Sequence, residues 1–63
     1  MFYIELTDSK GKIIFVNAGK ITTFCYGEGE DSHLTKICFV NNDTIWVKEK
    51  PQEVMHKISD VVW

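Results

Sequence analysis

Three segments of this chain place large apolar residues at consecutive positions: Lys12–Asn17 (KIIFVN), Lys36–Asn41 (KICFVN) and Thr44–Lys48 (TIWVK). Side chains alternate between faces along a strand, so a sheet made of these segments is apolar on both sides. Only Pro51–Val62 has the helical period needed to cover one side. The second side is therefore expected to meet another protein chain.

The remaining elements follow from period and turn chemistry. Phe2–Thr7 alternates, with Phe2, Ile4 and Leu6 opposite Tyr3, Glu5 and Thr7, which predicts a half-buried strand. Asp8-Ser9-Lys10-Gly11 is turn chemistry, with Gly11 free to take positive φ, and Lys12–Asn17 closes a hairpin. Asn17–Lys20 is a short connection hinged at Gly19, and Ile21–Tyr26 is a β-branched and aromatic strand. A polar acidic loop, Gly27–Ser32, leads to a strand over Leu34–Val40; Asn41-Asn42-Asp43 turns the chain into Thr44–Lys48. Four of the five strands fall into two hairpins or a continuous meander; sequential strands tend to be neighbours, so an antiparallel meander of about five strands is the default expectation. In Pro51–Val62, Pro51 suits the first helical turn, and Val54, Met55, Ile58, Val61 and Val62 share one face. An isolated helix of this length is marginal in water, so it must dock.

The pleat divides the sheet residues into two sets. Ile4, Leu6, Ile14, Val16, Ile37, Phe39, Ile45 and Val47 are assigned to the helix side. Tyr3, Ile13, Phe15, Cys38, Val40 and Trp46 are assigned to the outer side, on the condition that no strand slips by one residue.

Sixty-three residues allow a single domain, residues 1–63, and a domain of this size buries only about 60% of the surface its unfolded chain exposes. Self-association is one of the usual remedies. The net charge of −2, with all seven basic residues lysine, disfavours nucleic acid, because counterion release and bidentate arginine contacts are both missing. No apolar run approaches the roughly 20 residues of a membrane span, and Glu5 and Asp8 interrupt any leader-like segment. Two cysteines, Cys25 and Cys38, make no secreted framework. They are expected to be free, partly buried thiols in a reducing, cytoplasmic setting.

Candidate chemistry is sparse. Glu53 and His56 form one Glu-x-x-His, but a di-iron site needs two such helices and further carboxylates. Glu28, Glu30, Asp31 and His33 crowd one loop without calcium-loop spacing, which leaves a solvated loop or a recognition tip. Cys25 and Cys38 lie on adjacent strands across that loop, where cross-strand proximity is open, with His33 the nearest base and no third orienting group. Gly27-x-Gly29 lacks the third glycine and the helix of a phosphate loop. No metal, cofactor or catalytic set is expected. The aromatic residues Tyr3, Phe15 and Trp46 would suit stacked bases, but without a basic groove an interface with protein is preferred. The alternative for Trp46 is packing beneath the chain ends, on Trp63.

Gly11-Lys12, Ile14, Val16-Asn17, Ile21, Ile37, Asn42, Val47-Lys48-Glu49 and Glu53-Val54 form an ordered pattern spread over nearly the whole chain. In that order of features the chain resembles the FlbD-like family of small bacterial proteins associated with flagellar and swarming motility. The longer acidic third loop, Asn42-Asp43 and Lys50-Pro51 depart from that pattern. The resemblance implies the fold, and it brings no catalytic residues.

The expectation is thus an α+β domain: an antiparallel sheet of about five strands with one C-terminal helix. Its function is read as non-enzymatic interaction or assembly, forming a homodimer or higher homo-oligomer, or binding another protein, through Tyr3, Phe15, Cys38, Val40 and Trp46. The alternative is a nucleic-acid-binding or regulatory module on the same aromatic face.

Overall fold

The computed structural model describes residues 2–62, with the backbone alone at Val62. Its elements run β1 (Tyr3–Thr7), β2 (Ile13–Asn17), β3 (Ile21–Tyr26), β4 (Thr35–Phe39), β5 (Thr44–Val47) and α1 (Pro51–Val62). Every expected strand and the helix are present, and the fold is α+β.

The turns form for local reasons. Asp8 Oδ1 accepts the backbone N–H groups of Lys10 and Lys12, each at 2.9 Å, and Gly11 takes φ +89°. That geometry closes the β1–β2 hairpin with Ile4 opposite Val16 and Glu5 opposite Phe15. At the β4–β5 turn Asn42 adopts φ +70°, a left-handed conformation that asparagine tolerates, while Asn41 Oδ1 accepts the Asp43 N–H.

The strands do not form one sheet. β1 pairs with β2, and β3, β4 and β5 form a separate antiparallel meander. The expected pairing of β2 with β3 fails because the connection is a tight 3₁₀ turn. Asn17 Oδ1 accepts the Gly19 N–H at 3.0 Å, and the Ile21 N–H returns to the Ala18 carbonyl. Gly19 therefore sits inside an ordered 3₁₀ turn. The turn directs the chain away from β2, and the Lys20 carbonyl instead accepts from the Val40 N–H at the end of β4. The two sheets meet along another seam, between β1 and β5. There the Lys48 N–H donates to the Thr7 carbonyl at 2.8 Å, Asp8 bridges Val47, and Glu49 Oε1 accepts the Thr7 N–H at 2.8 Å.

The core lies between the sheets and α1. Ile4, Leu6, Val16, Ala18, Ile37, Val47 and Val54 are buried in one cluster, with Ile14, Phe39, Ile45, Ile58 and Val61 packed partly around it. All eight sheet residues assigned to the helix side belong to this cluster. Buried Thr35 donates its hydroxyl to the Glu49 carbonyl, so no polar side-chain atom is stranded among the described residues. Met55, expected on the packed face of α1, is 51% exposed; Val54, Ile58 and Val61 do the docking. A position adjacent to Val54 is turned about 100° away around the helix and clears the sheet.

Candidate interaction surface

The register assigns the outer residues to two surfaces. On the hairpin, Tyr3, Glu5, Thr7, Ile13, Phe15 and Asn17 point away from the core, since Tyr3 pairs with Asn17, Glu5 with Phe15 and Thr7 with Ile13. On the three-stranded sheet the corresponding set is Thr23, Cys25, Lys36, Cys38, Thr44 and Trp46, paired Thr23 with Cys38, Cys25 with Lys36, Lys36 with Trp46 and Cys38 with Thr44.

These surfaces differ in kind. Tyr3, Ile13 and Phe15 are 51%, 57% and 68% exposed, and Val40, just past β4, is 59% exposed. Phe15 and Val40 both line an open groove of about 600 Å³, together with Ile14 and Val16 on β2, Phe39 on β4 and Ile45 on β5. Lys20 and Asp43 border it as well. The expected anchors Tyr3, Phe15 and Val40 are thus accessible, and two of them share a groove.

Trp46 and Cys38 are not part of that groove. Trp46 lies half-buried in a smaller hollow with Cys25, Gly27 and Lys36; a Cβ on Gly27 would collide first with the Asp31 carbonyl and would also come within 2.8 Å of the Trp46 ring. Gly27 is buried, and its N–H donates to the Leu34 carbonyl at 2.9 Å. The aromatic ring is therefore an internal prop for the Gly27–Ser32 loop. Its expected packing on Trp63 lies outside the described residues. Gly27 is thus a structural residue and not half of a phosphate loop: its bare backbone lies beside a tryptophan two strands away.

The loop residues Glu28, Glu30, Asp31 and His33 are all exposed on a 3₁₀ turn over Gly29–Asp31. No group of three or more metal-ligating side chains converges among the described residues. Glu53 and His56 are likewise exposed on α1. Both cysteines are free, but Cys25 is exposed rather than partly buried, because it sits on edge strand β3 with only Lys36 opposite. Cys25 and Cys38 share a face one diagonal apart instead of lying in direct register. The Thr23 hydroxyl, and after it Thr44 Oγ1 at 3.8 Å, stabilise the Cys38 thiolate and lower its pKa below the ordinary 9.0; Lys36 adds to this. No helix among the described residues is long and apolar enough to cross a membrane.

Backbone direction adds a further feature of β2. The Ala18 N–H donates to the Phe2 carbonyl, and the Asp8 N–H donates to the Lys12 carbonyl. Antiparallel ladders alternate, so Lys12, Ile14, Val16 and Ala18 bond toward β1. Ile13, Phe15 and Asn17 turn their backbone groups to the free edge, where Ile13 and Phe15 have no backbone partner among the described residues.

Compared with models of protein families, with curated proteins and with solved structures, the chain has no significant match in any of the three.

Proposed function

We propose that this chain is a non-enzymatic assembly module that self-associates through the outer face of the β1–β2 hairpin. The observation that carries the reading is the exposure of Tyr3, Ile13, Phe15 and Val40, each more than half open to solvent. Scattered single apolar residues need no explanation, but three on one two-stranded ribbon beside an apolar groove fit an interface. A two-stranded hairpin is only marginally stable by itself, so burying its second face also relieves the weakness of a small domain. The resemblance to FlbD-like proteins agrees with a small module that carries no catalytic set. The test is sedimentation equilibrium over a concentration series. The mass of the native chain is expected to climb from 7.3 kDa toward twice that value, while Phe15→Lys stays monomeric. A native chain monomeric throughout the series would refute the reading.

A further inference from the structure

The two free edges of the molecule are built differently. β3 is irregular: its register with β4 shifts between Ile21 and Thr23, and Thr22 turns its hydroxyl onto the Cys38 carbonyl at 3.1 Å. A bulge is an ordinary way to protect an edge from pairing. β2 has none. Its pairing with β1 is unbroken, and Ile13-Ile14-Phe15-Val16-Asn17 contains no charge and no proline.

We propose that two copies of the chain pair β2 against β2, antiparallel across a two-fold axis at Phe15. The two hairpins then merge into one four-stranded sheet. This rests on the self-association proposed above but places the contact at the β2 edge of the hairpin instead of over its outer face. The symmetry fits the backbone. Phe15 is one of the residues whose N–H and C=O both point outward, so each Phe15 donates to and accepts from its counterpart. The Asn17 N–H of each copy meets the Ile13 carbonyl of the other. On the outer face Phe15 stacks beside Phe15, and on the inner side Ile14 lies beside Val16 of the second copy, above the groove lined by Phe39 and Ile45. No like charges meet, because the paired segment is neutral.

The area fits a second copy held weakly. The contact is one five-residue strand on each copy, with Tyr3 on β1 and Val40 beyond β4 outside it. A standard interface takes about 800 Å² from each partner. The shortfall places the pair in the small, transient class, with micromolar or weaker affinity.

Backbone amide exchange, resolved by residue at low and high protein concentration, tests the geometry. The Ile13, Phe15 and Asn17 amides are expected to slow by about tenfold or more on concentration, while Ile14 and Val16, already bonded to β1, change less. Chemical synthesis of the chain with an N-methylated Phe15 keeps the side chain and the β1 ladder but removes the central donor. Its dimer dissociation constant is expected to rise by roughly thirtyfold or more. A dimer that forms with unchanged Ile13 and Phe15 exchange, or that tolerates the N-methyl group, would overturn edge pairing and leave face-to-face association standing. A chain that never dimerises would overturn both.

Discussion

The β1–β2 hairpin and the β3–β4–β5 sheet each turn one face away from the helix, and they finish that face in opposite ways. On the three-stranded sheet the outward positions are Thr23, Cys25, Lys36, Cys38 and Thr44, and the one large ring, Trp46, is propped on Gly27. On the hairpin the outward positions include Tyr3, Ile13 and Phe15, with nothing over them among the described residues. The edges repeat the contrast: β3 is bulged and β2 is regular. An apolar residue at a sheet's outer position is thus not one signal but two. Trp46 has the Gly27 backbone of the β3–β4 loop beside it, whereas Tyr3, Ile13 and Phe15 remain open to solvent.

The largest expected effect separates the two kinds of aromatic residue. Trp46→Ala removes a half-buried ring that supports the Gly27–Ser32 loop, and is expected to cost about 2–4 kcal/mol. Phe15→Ala, read at a concentration where the chain is monomeric, is expected to stay within about 0.5 kcal/mol. Urea unfolding of both variants checks the pair, and equal losses would erase the distinction. Gly27→Ala comes next: its Cβ has no room beside the Trp46 ring and the Asp31 carbonyl, for a loss of about 1–3 kcal/mol.

Smaller effects sharpen the boundary between the two regions. Glu49 ties β1 to the end of β5 by accepting the Thr7 N–H. Glu49→Ala is expected to cost about 1–2 kcal/mol and to speed amide exchange at Thr7, while exchange in mid-hairpin changes little. Asp8 has its pKa lowered from 3.8, first by the Lys12 backbone N–H and then by that of Lys10. A depressed folded-state pKa stabilises above the unfolded value and is lost as pH falls through the folded one. Below about pH 4 the native chain should therefore lose more urea resistance than Asp8→Asn does. On the other sheet, Thr23→Val is expected to move the pH midpoint of Cys38 alkylation up toward 9.0, since its hydroxyl is the leading stabiliser of the thiolate.

Most of the fold was legible because its signals are local. Alternation fixed the two faces of β1, β2, β4 and β5, and Asp8–Gly11 and Asn41–Asp43 announced their turns. The division into two sheets was not legible, since it depends on Asn17 capping a 3₁₀ turn and on where Thr7 and Lys48, distant in the chain, meet. The surface was half legible. The pleat identified Tyr3, Phe15 and Val40 as outward. It could not show that a glycine in a distant loop would claim Trp46, or that α1 would leave Met55 exposed.

Light scattering on two lysine variants tests the central claim most directly: Phe15→Lys on the hairpin face and Thr44→Lys on the outer face of the three-stranded sheet, each beside the native chain over one concentration series. The account predicts that the native chain and Thr44→Lys both rise above 7.3 kDa with concentration and that Phe15→Lys does not. Association that survives Phe15→Lys and disappears in Thr44→Lys would contradict it.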